Sequence, residues 1–240
     1  MNVAAPAPSL GSLREGYHAL VVGASGAIGQ AWVRQLRADP RCARVSEASR
    51  SGPAALDLRD EAAIRRFAQT LAGQAPLHLV VDATGALNVD GVGPEKRLED
   101  LQADQLQRAM AVNAIGPALL LRHLWPLLAA GERTVWAKLS ARVGSIEDNR
   151  KGGWYAYRAS KAALNQLLQT AAIELARRRP ELVIAALQPG TVRSALSRPF
   201  VGEQAMDPDE SVRRLMGVID ALPVTGRAHF VDHQGQSIPW

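Results

Sequence analysis

The sequence predicts an α/β protein with a single Rossmann-like, doubly wound parallel sheet and helices on both faces. Short apolar segments with strand character alternate with helical segments from Tyr17 to about Val231. Parallel neighbours need crossover connections, so this alternation favours a sheet buried between two layers of helices. The composition agrees, because 240 residues that are 47% hydrophobic and 21% charged suit one folded domain of ordinary size.

Each element follows from a local pattern. Short runs of β-branched and other apolar residues predict strands at Tyr17–Val22, Arg44–Ala48, Leu77–Val81, Thr134–Leu139, Leu182–Leu187 and Arg227–Val231. Apolar residues at three- and four-residue spacing predict helices at Ala27–Leu36, after the capping residue Asp60, and at Leu101–Val112, Pro117–Ala129, Tyr155–Arg178 and Asp209–Ala221. We assign residues 17–240 to one domain and expect residues 1–16 to form a flexible N-terminal tail.

The composition also limits the class of protein. Cys42 is the only cysteine, which excludes a disulfide framework and a cysteine-rich zinc site, so we expect no metal. The net charge is +5, and the basic residues are scattered along the chain. Their densest run, Arg177–Arg179, falls at a predicted helix end, where it either offsets the helix dipole or contacts a phosphate. The strongest apolar stretch, Ala114–Leu121, is far shorter than the ~20 residues of a membrane span. We therefore expect a cytoplasmic protein that binds neither nucleic acid nor membrane.

A glycine-rich loop separates the first strand from the first helix. Gly23, Gly26 and Gly29 follow the spacing G-x-x-G-x-x-G, with Ser25 and Ile28 between them. Such a turn lets the backbone approach a pyrophosphate, which the free N–H groups at the helix start then attract. Three glycines can also form a tight turn without a ligand. Their place at the first strand–helix junction favours a dinucleotide site.

The end of the second predicted strand indicates which nucleotide binds. A carboxylate about 20 residues after the loop would bind the ribose 2′-hydroxyl and repel a 2′-phosphate. Ser49 and Arg50 stand there instead, and both can bind a phosphate. Glu47 is the nearest acid, and the strand could turn it towards the ribose or away from it. The pattern favours NADP(H), with NAD(H) as the alternative.

Tyr157 and Lys161 begin the long predicted helix and lie four residues apart, hence on one helix face. A free phenol has a pKa near ~10, and a fixed ammonium beside it would lower that value and make a usable acid or base. This spacing also occurs on ordinary helix surfaces. Because the pair follows a phosphate loop in an α/β chain, we interpret it as catalytic.

With these two motifs, the sequence resembles the short-chain dehydrogenase/reductase family over essentially its whole length from Tyr17. The stretches Ser140–Ser145 and Gly152–Leu164 are similar to the C-factor and Sniffer-like carbonyl reductase branch. The glycine loop departs from the family's usual G-x-x-x-G-x-G, because its middle glycine comes one place early. This departure affects the detail of the pyrophosphate contacts rather than the role of the loop.

The resemblance implies further site residues. Asn113 matches the asparagine that supports a water-linked proton path to the lysine, although it could instead be a helix-kink asparagine. Asp57 and Leu58 resemble an element that contacts adenine, although Asp57 could equally cap a helix or turn. The resemblance also implies that two turns lie near the cofactor. The first follows a sheet-stabilising Asp82 and consists of Ala83, Thr84 and Gly85. The second consists of Pro189, Gly190 and Thr191 and lies beside the nicotinamide amide.

The catalytic serine is harder to place. The family's serine ends the strand before the catalytic helix, usually three residues before a glycine, and Ala141 holds that position relative to Gly144. Ser140 ends the predicted strand and is our choice. Ser145 is the alternative, and a site without a serine is a third interpretation.

We expect a reductase or dehydrogenase that transfers hydride between NADP(H) and a small carbonyl or alcohol substrate, with Asn113, Ser140, Tyr157 and Lys161 as its catalytic residues. A homodimer or homotetramer is compatible with this class. A C-factor-type signalling or regulatory protein that binds the nucleotide without turnover is the alternative. We expect the segment from about Ser194 to Asp207 to close the substrate pocket, with Trp154, Phe200 and Met206 as candidate apolar lining.

Overall fold

The computed structural model describes residues 9–51, 55–194 and 205–240. It contains one parallel sheet with the strand order β2-β1-β3-β4-β5-β6. The strands are β1 Tyr17–Val22, β2 Cys42–Ala48, β3 Leu79–Asp82, β4 Thr134–Leu139, β5 Leu182–Gln188 and β6 Ala228–Asp232. The main helices are α1 Ala27–Ala38, α2 Glu61–Leu71, α3 Ala103–Met110, α4 Gly116–Leu124, α5 Tyr155–Leu175 and α6 Pro208–Ala221. The predicted Rossmann-like class is confirmed.

Side chains alternate across the sheet and create two cores. Leu20, Val80 and Trp136 face the layer formed by α2, α4 and α5. Their neighbours Val21 and Val81 face the layer formed by α1 and α6. This alternation follows from the two-residue period of a strand, and it explains why the strands read as nearly continuous apolar runs. Among the described residues, no helix is long and apolar enough to cross a bilayer.

The strand order fixes where a ligand can bind. The chain leaves β1 towards β2 on one side and later towards β3 on the other, so the order reverses beside β1. Loops diverge at such a reversal and leave a crevice at the carboxyl ends of the strands. The loops after β1, β3, β4 and β5 all open at this edge.

The N-terminal segment corrects one prediction. Residues 1–8 lie outside the described residues, but residues 9–16 are not a loose tail. Leu10 and Leu13 are buried against the α1–α6 layer. The backbone N–H of Leu10 donates to Asp39, and that of Ser12 donates to Asp220. Leu10 and Leu13 give this segment an apolar face that packs on the fold. Two apolar residues are too few to form a periodic pattern, so the sequence did not predict this packing.

A second correction concerns the helical stretch before β4. The sequence predicted two helices separated near Asn113, whereas α3 continues through a π-helical turn at Ala111–Ile115 into α4. Pro117 stands just after this π-helical turn, and the run continues through it. The π-turn carries the buried Asn113 towards the crevice.

Candidate active site

The glycine loop has the geometry that a phosphate cradle requires. Gly23 has φ +83°, and its carbonyl accepts from the Gly26 N–H at 3.1 Å. A Cβ added to Gly29 would lie 2.1 Å from the Gly23 oxygen, so this position tolerates no side chain. Helix α1 begins after Gly26 without a side-chain cap, which leaves its first N–H groups to meet an anion. Ser25 lines the adjoining cavity.

That cavity lies where the sequence predicts the adenosine half of the cofactor. It is lined by residues from the loops after β1, β2 and β3, including Ser49, Arg50, Asp57, Leu58, Ala83, Thr84 and Gly85. Arg50 is exposed and forms no ion pair within the described ranges. Glu47 does not line the cavity, because it pairs with Arg37 of α1. Glu47 is thus directed towards α1 and away from the cavity.

Asp57 also faces this cavity, but its charge is compensated. Arg59 lies 2.8 Å from the Asp57 carboxylate and 3.4 Å from Asp90. Hydrogen bonding from Arg59 lowers the pKa of Asp57, so the carboxyl stays ionised and bound. Arg59 was missed by the sequence reasoning, although its place two residues after Asp57 in a loop offered a signal.

The second cavity, of about 490 Å³, adjoins the first, and we call it the reactive cavity because it holds the predicted pair Tyr157 and Lys161. It contains most of the remaining predicted residues, namely Ile28, Ala83, Thr84, Gly85, Ser140, Tyr157, Lys161, Pro189, Gly190 and Thr191. Thr84 and Gly85 line both cavities. A Cβ on Gly85 would lie 3.3 Å from Lys161 Nζ, so this glycine keeps the wall open in front of the lysine.

Tyr157 and Lys161 lie together as predicted from their spacing, with Lys161 Nζ 5.8 Å from the centre of the Tyr157 ring. Their protonation behaviour differs from the prediction. Desolvation raises the pKa of Tyr157 to about 12 instead of lowering it. Burial, and then the nearby Lys138 cation, lowers the pKa of Lys161 to about 7. The reason is that the ammonium is itself buried, and a cation that holds its proton weakly stabilises a phenolate little.

Asn113 ties the crevice to the catalytic helix. Its Nδ2 donates to the Ala86 carbonyl and to Ser160 Oγ at 3.2 Å, while its Oδ1 accepts from the Ala86 N–H at 2.9 Å. Ser160 in turn donates to the Tyr157 carbonyl. Asn113 therefore bonds the loop after β3 and α5 rather than its own helix backbone.

The two candidate serines differ in position. Ser140 lines the reactive cavity beside Ala141, but its hydroxyl donates to Asn165 Oδ1 at 2.7 Å. Ser145 does not line the cavity. Its oxygen accepts from the Asp148 N–H at 3.0 Å, and its hydroxyl donates to the Trp240 carbonyl at 3.4 Å. Of the two, only Ser140 is within the cavity.

Two buried charges support the site and were missed by the sequence reasoning. Lys138 of β4 is fully buried and pairs with Asp82 at 3.0 Å. Glu95 is 4% exposed and accepts from the Ala156 N–H at 3.1 Å, while its backbone carbonyl accepts from the Trp154 N–H. Glu95 thus holds the start of α5 immediately before Tyr157. A lysine in the middle of an apolar strand was the available signal for the first of them.

The mouth of the reactive cavity is partly described. Trp154, with φ +54°, lines it and packs edge-on against Tyr157 at 6.2 Å between ring centres. Met206 is not among its lining residues. Phe200, and most of the segment expected to close the pocket, lie outside the described residues.

The comparisons with known proteins agree with this geometry. Residues 21–222 match a family model described as enoyl-(acyl carrier protein) reductase. The chain is 35% identical to C-signal of Myxococcus xanthus over 144 residues, which are 60% of this chain and 83% of that protein. This similarity supports the C-factor branch predicted from the motifs.

Solved structures show the same fold. A Burkholderia multivorans protein described as a short-chain dehydrogenase/reductase, whose structure holds NADP, is 26% identical, with a TM-score of 0.77 over 93% of this chain and 99% of that one. The carbonyl reductase Sniffer of Drosophila melanogaster is 20% identical, with a TM-score of 0.81 over 95% and 100% of the two chains. With the family model covering most of its length, the chain belongs to the short-chain dehydrogenase/reductase family.

Proposed function

We propose that the protein is an NADP(H)-dependent carbonyl reductase in which Tyr157 is the acid that protonates the product oxygen. The observation that carries this proposal is the cavity that holds Tyr157 and Lys161 together with Gly85 and Thr191, next to the cavity of the glycine loop. A dinucleotide in the first cavity would end in the second. The related Burkholderia protein holds NADP, which supports this choice of nucleotide.

The residues present fit that cofactor. The missing side chains at Gly23, Gly26 and Gly29 leave backbone N–H groups for the pyrophosphate. Arg50 supplies a cation without a described ion-pair partner for a 2′-phosphate, and Ser49 stands beside it. The loop Pro189–Thr191 forms the opposite wall of the reactive end. When bound, the nicotinamide supplies the hydride, and the protein orients it.

The proton chemistry is assigned to Tyr157. With a pKa raised to about 12, the phenol is protonated at neutral pH and can donate as the carbonyl oxygen gains charge. An alkoxide is a stronger base than a phenolate, so this transfer is downhill. Lys161, with a pKa lowered to about 7, is in a range where it can return a proton to the phenolate. Asn113 holds the wall beside Lys161, and we assign it the water-linked end of this path.

Ser140 is assigned to the developing oxyanion. Its hydroxyl lines the cavity at the end of β4, and it would donate to the carbonyl oxygen after turning away from Asn165. A donor aimed at developing charge stabilises the transition state more than the ground state.

A panel of aldehydes, ketones and quinones, followed by NADPH absorbance, tests this proposal. We expect turnover on at least one class of carbonyl, and we expect Tyr157→Phe to abolish it while NADPH affinity stays within about threefold, or ~0.7 kcal/mol. Tyr155→Phe is the matched control, because Tyr155 begins the same helix but does not line the cavity. Tight NADPH binding without any turnover would instead support a protein that binds the nucleotide without using it.

A further inference from the structure

Lysine is rare in this chain and concentrated at the site. Only four of its 28 basic residues are lysines, at positions 96, 138, 151 and 161. Lys138 and Lys161 are 0% and 2% exposed, respectively. Lysine is seldom buried without a partner, so two buried lysines beside one cavity need an explanation. The mechanism proposed above uses only Lys161.

Lys138 belongs to a hydrogen-bond network at the ends of β3 and β4. Its Nζ lies 3.0 Å from Asp82 Oδ1 and donates to the Thr84 carbonyl at 2.7 Å and to Thr84 Oγ1 at 3.0 Å. The backbone N–H of Thr84 and its hydroxyl both donate to the same Asp82 oxygen, at 2.9 and 2.5 Å. One lysine therefore fixes three groups of the loop that enters the cofactor crevice.

We propose that Lys138 is a positioning residue of the active site, which together with Asp82 fixes the Thr84–Gly85 wall and places a second positive charge behind Lys161. This inference rests on the proposed function for its catalytic consequence, since Lys161 touches the reacting groups and Lys138 does not. Thr84 and Gly85 line both cavities, so a shift of this wall would change the contacts of both halves of the nucleotide.

The titratable groups near Lys161 come from three elements. Asp82 ends β3, Lys138 lies in β4, and Tyr157 precedes Lys161 on α5. The other close polar groups are neutral, namely the Leu139 carbonyl, which accepts from Nζ at 3.2 Å, and Asn113 Oδ1 across Gly85. Asp82 pairs directly with Lys138 and acts on Lys161 only from a longer range, so one carboxylate faces two buried lysines. Like charges disfavour each other at short range, so Lys138 weakens the hold of Lys161 on its proton, and Asp82 opposes this effect less strongly.

A purely structural ion pair would behave differently. If Lys138 only held the loop, its loss would change stability and cofactor affinity but would leave the titration of Lys161 where it is. If it also acts through its charge, Lys138→Met and Asp82→Asn should move that titration in opposite directions. The sign of the movement separates the two roles.

The experiment uses the full chain labelled with ¹³C at lysine Cε and titrated by NMR without cofactor. Four lysines give four signals, and the exposed Lys96 and Lys151 provide ordinary references. We expect the midpoint of Lys161 to rise by about one pH unit or more in Lys138→Met and to fall in Asp82→Asn. Lys96→Met, which removes an exposed lysine, is the control and should move nothing.

The double variant Asp82→Asn/Lys138→Met guards against loss of folding. Each single variant leaves one buried charge unpaired, which is costly, whereas removing both charges is often tolerated. Because the Lys138 effect on Lys161 is the larger of the two, the midpoint should still rise in the double variant, though by less than in Lys138→Met. A folded double variant whose Lys161 midpoint equals that of the unmodified protein would overturn the proposal.

The catalytic consequence is measured separately. The pH profile of kcat should shift in the same direction as the Lys161 midpoint in each variant. Failure of the proposed function would show as no carbonyl turnover in the unmodified protein, with the NMR shifts still present. Failure of this inference would show as turnover with unmoved Lys161 titration.

Discussion

Replacing Ser140 by alanine separates a catalytic hydroxyl from a structural one, because the structure assigns the hydroxyl a partner of its own. Ser140 Oγ donates to Asn165 Oδ1 at 2.7 Å, and Asn165 is 3% exposed. The amide Nδ2 of Asn165 already has no hydrogen-bond partner within the described residues. Ser140→Ala therefore leaves the buried amide without partners at either end.

The cost to stability follows from that count. A buried polar group that loses its partner costs about 1–3 kcal/mol. In a chain of this size, each kcal/mol lowers Tm by roughly 2–4 °C. We expect this loss in Ser140→Ala whether or not the hydroxyl is catalytic. If the hydroxyl also turns to the carbonyl oxygen during the reaction, kcat should fall about 10²-fold, the usual cost of one lost oxyanion donor.

The assay pairs thermal unfolding with steady-state kinetics on the best carbonyl substrate. Ser145→Ala is the matched control, because Ser145 is also buried and bonded but lies outside the cavity, so it should lose stability and keep kcat. Ala141→Ser, made in the Ser140→Ala background, should restore part of the activity. A less stable Ser140→Ala variant with full kcat would refute the catalytic assignment and leave the site without a serine.

Three further outcomes are expected. The unmodified protein should prefer NADPH over NADH by at least about tenfold, or ~1.4 kcal/mol, measured as the ratio of the two Kd values. Arg50→Asp should erase or reverse this preference. Equal affinities in the unmodified protein would contradict the role of Arg50. Gly29→Ala places a Cβ 2.1 Å from the Gly23 oxygen, so NADPH binding measured by calorimetry should be lost, whereas Gly217→Ala, in open space, should retain it. The pKa of Lys161 is lowered to about 7 from 10.5, so between these values the unfolded chain binds a proton that the folded chain does not, and the unfolding free energy of the cofactor-free protein should rise with pH. Lys161→Met should flatten that rise in urea titrations.

The fold was predictable because its determinants are local. Buried parallel strands such as β1 and β4 must be short and apolar, and the helices between them carry one apolar stripe, so both leave a readable period. The burial of Leu10 and Leu13 was not predicted, because two apolar residues are too few to show a helical or strand period. The π-turn at Asn113 escaped because a continuous helix and two separate helices have the same local composition there.

The position of the candidate site was predictable where its residues belong to one short motif. The glycine loop and the Tyr157–Lys161 pair are each set by backbone spacing within one element, so the sequence alone placed them correctly relative to the sheet. The protonation of that pair was not predictable, because it depends on groups brought in by other strands. Lys138 is 23 residues before Lys161, and Asp82 a further 56 residues back, and their effect exists only once β3 and β4 are neighbours.

This difference explains the reversal found at Tyr157. A tyrosine and a lysine four residues apart suggest a phenol that an ammonium makes acidic, and that inference treats the lysine as fully charged and solvated. In the folded chain the lysine is buried beside a second cation, so it holds its proton weakly, and the desolvated phenol stays neutral at physiological pH. A neutral phenol is the form that donates a proton to a carbonyl oxygen. Under the role proposed for Tyr157, the burial that opposes a phenolate favours the reduction direction, which the sequence motif by itself does not specify.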